Sequence, residues 1–172
     1  MKLYLMFVVL FFSAYTLSSQ DMANVHTERN ITKVIVVRHA EKADDGTKDP
    51  PLTAAGKERA TRLNKILADF TIDALYATPF KRTQETLAVI AESRKLGVKT
   101  YQPNDANFAK DVLQENLGKI IVVAGHSNSS PALVNKLIGQ EKYMALDESV
   151  YTKLWVLTFV DGVFVSDDLW NY

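Results

Sequence analysis

An unbroken run of apolar, strand-forming residues ends abruptly on ionisable ones near the start of this chain. The run covers residues 34–37, which are all β-branched, and Arg38 and His39 follow it directly. Such a strand is typical of a parallel sheet covered by helices on both faces. Because ligands bind beyond the carboxyl ends of these strands, Arg38 and His39 are candidate site residues. A charged turn after a core strand would have the same sequence.

The same arrangement occurs later in the chain, where a predicted strand begins at Lys119, is apolar over 120–124, and is followed by Gly125 and His126. Hydrophobic spacing and turn residues predict the remaining elements. Further strands are predicted at 72–77, 98–102 and 151–160, and helices at 53–67, from 79 towards Gly97, at 107–117 and at 131–137. Asp161-Gly162 indicates a final hairpin. This order predicts one α/β domain, a three-layer α/β/α sandwich with a mostly parallel sheet.

Two helix starts have recognisable caps. Thr53 is a predicted N-cap for the first helix, and Thr78-Pro79 is a cap followed by proline for the second. The second start places Arg82 in the first turn of its helix. Arg82 therefore lies near the end of the preceding strand.

Composition excludes several classes of protein. A chain of 172 residues with 47% hydrophobic and 23% charged residues suits a single globular domain. Its formal net charge of zero gives no general reason to expect a nucleic acid or an acidic membrane as partner. The absence of cysteine excludes disulfides, thiol nucleophiles and a lipid-modified cysteine.

The N-terminal residues have the layout of a secretory signal peptide. Lys2 precedes an apolar core, and small and polar residues follow it up to residue 19. We expect a signal peptide over 1–19, a flexible leader over 20–31 and the folded domain over 32–172. The protein is then exported to the periplasm or beyond, with no stable membrane association after cleavage. An uncleaved anchor is the alternative.

Two predicted strands end on histidine, one of them also carries Arg38, and a helix start carries Arg82. In an α/β sheet these groups can converge at one edge. Two guanidinium groups, two imidazoles and exposed helix N-termini suit a phosphate dianion, since donors and positive charge would surround its oxygens. The sequence therefore predicts a phosphate pocket.

Four segments, in order, resemble the histidine phosphatase superfamily in its phosphoglycerate-mutase-like branch. Arg38-His39-Ala40-Glu41 is similar to the family's Arg-His-Gly-Glu signature, and residues 52–56 resemble its Leu-Thr-x-x-Gly helix entry. Residues 77–86 resemble the segment with the second arginine, and Gly125-His126-Ser127 the segment with the second histidine. The resemblance covers nearly the whole expected mature chain.

The resemblance implies a phosphatase in which His39 is the nucleophile and forms a phosphohistidine that water hydrolyses. Arg38, Arg82 and His126 would hold the phosphoryl oxygens. A nucleophilic histidine must be neutral, which the nearby arginines favour. No metal or cofactor is implied, and the partner would be a small phosphorylated substrate or a phosphoprotein.

The proton donor for the leaving group would be a carboxylic acid. Family members that act on alkyl phosphates use a carboxylic acid after the third strand, where Asp105 is the nearest candidate and Asp111 and Glu115 follow. Each could equally be an ordinary solvated residue. Glu41 belongs to the signature and is a weak candidate for substrate binding. We therefore expect a preference for aryl, acyl or phosphohistidine substrates, whose leaving groups need little protonation.

Other functions fit parts of the sequence. His39, Glu41 and His126 could bind a cation, although two arginines would repel it. Gly125-His126-Ser127-Asn128-Ser129 resembles the nucleophile elbow of an α/β-hydrolase, but no histidine follows the serine. A phosphoglycerate mutase would share the pocket, yet the chain lacks a long insert before His126. A non-catalytic phospho-ligand or protein-binding module of the same fold is the remaining alternative.

Overall fold

The computed structural model describes residues 29–172. Strands and helices alternate in the predicted order: β1 (Ile31–Arg38), α1 (Ala54–Ile66), β2 (Ala74–Ala77), α2 (Lys81–Arg94), β3 (Val98–Thr100), α3 (Phe108–Gln114), β4 (Ile120–Gly125), α4 (Ser129–Ile138), β5 (Lys153–Val160) and β6 (Val163–Asn171). The predicted signal peptide, and the leader up to residue 28, lie outside the described residues. The leader prediction was wrong at its end, because Ile31 is already the first residue of β1. No helix in the described part of the chain is long and apolar enough to cross a membrane.

The six strands form one sheet in the order β3-β2-β4-β1-β5-β6. The pairings among β3, β2, β4 and β1 are parallel, whereas β5 and β6 add antiparallel pairings at one side. β1 and β4 are neighbours at the centre, with Arg38 opposite Gly125. The two histidine-bearing strand ends therefore lie side by side at one edge of the sheet.

Alternate residues of the central strands face two separate apolar layers. In β1, Val34 and Val36 pack with residues of α3 and α4, while Ile35 and Val37 pack with residues of α1 and α2. All four are fully buried. This double burial explains the continuous β-branched run, since full burial of each such side chain stabilises the fold by about 1.5–3 kcal/mol. The predicted three-layer sandwich with a mostly parallel sheet is confirmed.

Two local predictions are confirmed in atomic detail. Thr53 caps α1, because its Oγ1 accepts a hydrogen bond from the Gly56 amide at 3.0 Å. A Cβ added to Gly56 would lie 2.3 Å from the Glu41 carbonyl oxygen, so glycine permits α1 to approach the end of β1. Asp161 and Gly162 join β5 to β6 with φ of 51° and 79°. Positive φ at both positions is what a tight hairpin turn requires.

The second helix start was predicted too early. α2 begins at Lys81, and its N-cap residue Phe80 makes no side-chain cap hydrogen bond. Thr78 is fully buried and its hydroxyl serves the candidate site instead. Other boundaries differ by a few residues: β3 ends at Thr100, α3 is confined to Phe108–Gln114, and α4 begins at Ser129.

Candidate active site

The structure brings His39, Arg82 and His126 to one cavity, as the sequence predicts. The imidazole rings of His39 and His126 lie 5.4 Å apart between centroids. Arg82, in the first turn of α2, places its Nη2 atom 3.5 Å from His126 Nδ1. The cavity has a volume of about 410 Å³, and its other lining residues are Lys42, Ser127, Asn128, Ala145, Leu146 and Glu148.

His39 is held in one tautomer by its own backbone. Its side chain is only 3% exposed, and Nδ1 lies 2.7 Å from the carbonyl oxygen of Ala40. A carbonyl can only accept a hydrogen bond, so Nδ1 carries the proton. The lone pair of the neutral ring is therefore on Nε2. This carbonyl is the tautomer-fixing acceptor that the sequence could not identify.

His126 is oriented by a chain of hydroxyl groups. Its Nε2 lies 2.9 Å from Thr78 Oγ1, which lies 2.9 Å from Thr83 Oγ1. The Thr83 hydroxyl is the donor to the carbonyl oxygens of Phe80 and Thr78. Because the Arg82 guanidinium faces Nδ1 as a donor, Nε2 of the neutral ring carries the proton and donates to Thr78. This use of Thr78 explains why it does not cap α2.

Both histidines are kept neutral by their surroundings. Burial lowers the pKa of His39 to about 4; the hydrogen bond that His39 donates to the Ala40 carbonyl opposes this shift, and the charges of Arg38, His126 and Arg82 add to it. Burial, followed by the charges of Arg82 and Arg38, lowers the pKa of His126 to about 4. Desolvation and nearby positive charge both disfavour an imidazolium. Both rings are therefore neutral at pH 7, as a nucleophilic histidine requires.

These pKa values predict a specific titration. The imidazole NMR signals of His39 and His126 should remain those of neutral rings at about pH 5.5, where an ordinary histidine with a pKa of about 6.5 is mostly protonated. Since the unfolded chain binds these protons more readily, the free energy of unfolding should fall as pH decreases from about 6.5 towards 4. A midpoint near 6.5 for either ring would contradict the burial argument.

Arg38 is fully buried beneath the loop that precedes β5. Its Nη1 donates to the carbonyl oxygens of Asp147 and Val150 at 2.9 and 2.8 Å, and Nη2 lies 2.6 Å from Glu148 Oε2. The guanidinium carbon also lies 4.2 Å from the ring centroid of Tyr151. Arg38 Nε is buried without a partner. Arg38 therefore lies beside His39 but is anchored mainly by the loop.

Arg82 keeps more of its donors free. Its side chain is 14% exposed, and its nearest carboxylate oxygen, on Asp49, is 3.7 Å from Nη1. The guanidinium carbon lies 4.4 Å from the ring centroid of Phe80, which positions it at the cavity. Asp49 belongs to the loop between β1 and α1. Arg82 is thus a cationic group with room to bind an anion.

The predicted carboxylates do not join these residues in the cavity. Glu41 binds Arg59 of α1 through both of its oxygens, at 2.6–2.9 Å, and ties the end of β1 to that helix. Asp105 is exposed, and its Oδ1 accepts from the Asn107 amide at 2.9 Å. Asp111 and Glu115 are exposed residues at α3. None of the four is among the residues that line the cavity at His39.

The pairing of Glu41 with Arg59 also removes the proposed third ligand of a cation site. In residues 29–172 no group of three or more histidine, aspartate and glutamate side chains is arranged to hold a metal ion. His39 and His126 line the same cavity, whereas Glu41, the carboxylate of the signature segment, does not. The alternative of a cation bound by His39, Glu41 and His126 is therefore wrong in its ligand set.

Glu148 is the carboxylate that the sequence did not predict. Its side chain is 74% exposed, lines the cavity, and pairs with Arg38. Oε1 accepts a hydrogen bond from the Ser127 hydroxyl. Glu148 lies in a connection without a motif, 21 residues beyond Ser127 in the chain. The only available signal was its position just before a predicted strand, which does not distinguish it from an ordinary loop residue.

Comparison with known proteins finds similarity to phosphatases in part of this chain. The sequence profile described as histidine phosphatase superfamily (branch 1) matches residues 34–103. Phosphoserine phosphatase 1 of Hydrogenobacter thermophilus is 38% identical over 74 residues, which cover 40% of this chain. The matched segment spans only 35% of that relative's length.

Solved structures share the fold across most of this chain. The protein histidine phosphatase SixA complexed with tungstate matches with a TM-score of 0.68 and 16% identity, over 81% of this chain and 96% of that one. The α-ribazole phosphatase of Shigella flexneri matches with a TM-score of 0.63 and 15% identity, over 81% and 96%. A mycobacterial glucosyl-3-phosphoglycerate phosphatase gives 0.60 and 14%, over 82% and 99%. At these identities the likeness is one of fold.

Proposed function

We propose that this chain, whose residues 34–103 match the profile of the histidine phosphatase superfamily, hydrolyses phosphorylated substrates through a covalent phosphohistidine on His39. The observation that carries the proposal is the tautomer of His39. Its Nδ1 donates to Ala40, so the Nε2 lone pair is available in the cavity that Arg82 and His126 also line.

The proposed reaction has two steps at one nitrogen. In the first, His39 Nε2 forms a bond to phosphorus while the bond from phosphorus to the leaving group breaks. In the second, water forms a bond to phosphorus and the phosphorus–nitrogen bond breaks, which releases inorganic phosphate. The guanidinium of Arg82 would stabilise the charge that builds on the phosphoryl oxygens. His126 would donate to the same oxygens only with a proton on Nδ1, because the Nε2 proton of its neutral ring is donated to Thr78.

The open form of the site favours hydrolysis over phosphoglycerate-mutase-type transfer. A mutase must shelter its phosphohistidine from water between two substrate-binding events. Between α2 and β4 this chain has only the short β3, the seven-residue α3 and their loops. The side chain of Glu148, at the cavity, is 74% exposed. Water therefore has a route to the proposed intermediate.

We propose a substrate with a good leaving group, such as an aryl or acyl phosphate or a phosphohistidine of a small molecule or phosphoprotein. The candidate proton donor Asp105 lies outside the cavity lining. The pKa of Glu148 is held below its usual range, first by the Ser127 hydrogen bond, so this carboxylate is ionised and has no proton to give. An alkyl leaving group would therefore lack the donation that contributes typically 10²–10⁴-fold.

A panel assay in excess EDTA tests the proposed activity. We expect release of inorganic phosphate from p-nitrophenyl phosphate and acetyl phosphate to continue after chelation, because Arg82 and Arg38 supply the positive charge. Alkyl monoesters such as phosphoserine should turn over more slowly. Activity that is lost in EDTA and restored by one divalent ion would contradict the metal-independent site. Equal rates for alkyl and aryl esters would contradict the substrate class.

A further inference from the structure

Glu148 combines contacts to two segments of the candidate site with high exposure. Its Oε2 lies 2.6 Å from Arg38 Nη2, and Oε1 accepts from the Ser127 hydroxyl, which follows His126 directly. It is the only carboxylate among the residues that line the cavity of His39 within the described part of the chain. Neither the family profile, which ends at residue 103, nor the sequence motifs assign it a role.

The exposed fractions of His39 and Glu148 differ strongly, and the difference indicates where Glu148 lies relative to the proposed reaction. His39 is 3% exposed and forms the floor of the cavity, whereas the Glu148 side chain is 74% exposed and lies at its mouth. A phosphoryl group bound to His39 would have its nitrogen bond towards the floor. Because attacking and leaving groups lie roughly in line at phosphorus, hydrolytic water must approach from the mouth.

We propose that Glu148 is the general base that takes a proton from the water attacking the phosphohistidine. The inference rests on the proposed function, since it concerns the second step of that reaction. As the water oxygen bonds to phosphorus, its proton passes to a Glu148 carboxylate oxygen and the phosphorus–nitrogen electron pair returns to His39 Nε2. The products are inorganic phosphate, neutral His39 and protonated Glu148, which then releases its proton to solvent.

The contacts of Glu148 keep its carboxylate ionised, which is the form that can accept a proton. The hydrogen bond from Ser127 and the charge of Arg38 stabilise the carboxylate, and they hold its pKa below the usual range. Each carboxylate oxygen has two lone pairs, so a water can still bind beside these partners. The same ionised state provides no proton for the first step. One ionised carboxylate would thus accept the proton in the proposed second step and leave the first step without a proton donor.

Glu148→Gln tests the proposal, because it preserves the shape of an exposed side chain and removes its basicity. With p-nitrophenyl phosphate in rapid-quench experiments, we expect the first turnover to release p-nitrophenol as in the wild type. The steady-state rate should fall by about 10²-fold. Phosphorylated His39 should accumulate. Glu141→Gln is the matched control, since Glu141 lies in the same connection but contacts Asn135 and does not line the cavity.

Three results would overturn the assignment. An unchanged steady-state rate in Glu148→Gln would show that Glu148 is not the general base. A parallel fall in burst and steady state would mean that Glu148 acts through Arg38 on phosphate binding. Slowed dephosphorylation in Asp105→Asn, with Glu148→Gln unaffected, would make Asp105 the base. The absence of any His39 adduct in both the wild type and Glu148→Gln would overturn the proposed function itself, and this inference with it.

Discussion

Replacement of His39 by alanine is expected to reduce phosphatase turnover by at least about 10⁴-fold, the order of loss that follows removal of a covalent nucleophile. Among the residues that line the cavity of His39 in residues 29–172, the only other imidazole is that of His126. His126 cannot substitute for it, because Arg82 faces its Nδ1 and Thr78 accepts from its Nε2. The fold should persist, since the pairing of His39 with Gly125 of β4 is made by its backbone amide, which alanine keeps.

Rapid quench with a labelled substrate measures this effect directly. The wild type should yield an acid-labile, base-stable adduct that maps to His39, and His39→Ala should yield none. His26→Ala alters the third histidine of the chain and should behave as the wild type. If His39→Ala loses activity while the midpoint of thermal unfolding is unchanged, the protein is an enzyme and not a non-catalytic module. An absent wild-type adduct under burst conditions would exclude the covalent route.

Replacement of Arg82 by alanine is expected to reduce kcat by about 10²–10³-fold, which is typical for loss of one donor to a developing anion. Unlike Arg38, Arg82 has only a weak carboxylate contact, 3.7 Å to Asp49. Its donors are therefore available to the phosphoryl group. Because it is placed by stacking on Phe80 at 4.4 Å and by its position in α2, its removal should leave the core unchanged.

Two companion variants sharpen the measurement. Arg82→Lys should recover only part of the rate, because an ammonium group keeps the charge but loses the two-pronged geometry of guanidinium. Arg62→Ala removes an exposed arginine of α1 that does not line the cavity of His39 and should leave kcat unchanged. If Arg82→Ala changed KM alone, Arg82 would bind substrate and transition state equally. The proposed charge stabilisation would then be wrong.

Arg38 illustrates a residue whose identity was predicted and whose surroundings were not. The sequence places it at a strand end and predicts a phosphate contact. In the structure its two Nη atoms are engaged by the loop 147–150, and only Nε is buried without a partner. The loop residues lie more than 100 positions from Arg38 in the chain. No local pattern could connect them.

Thr78 and Glu41 were misread for the same physical reason. Thr78 has the local sequence of a helix cap, and Glu41 belongs to a motif associated with the site. Each side chain instead forms hydrogen bonds with a distant element, Thr78 with His126 and Glu41 with Arg59. Within its local sequence, a hydroxyl or carboxylate can form hydrogen bonds of similar free energy with several different partners. Tertiary packing selects one of them.

The sequence by itself determined the three layers, the mostly parallel sheet and the edge where His39, Arg82 and His126 meet. It could do so because double burial demands continuous β-branched runs, and because parallel strands deliver their ends to one edge. Only the tertiary structure decided which carboxylate reaches the cavity, which carbonyl fixes His39, and what holds Arg38. Those contacts depend on loops 40–52 and 139–152 folding back over the sheet edge, and loop paths are set by hydrogen bonds between residues far apart in sequence, for which the chain carries no periodic signal.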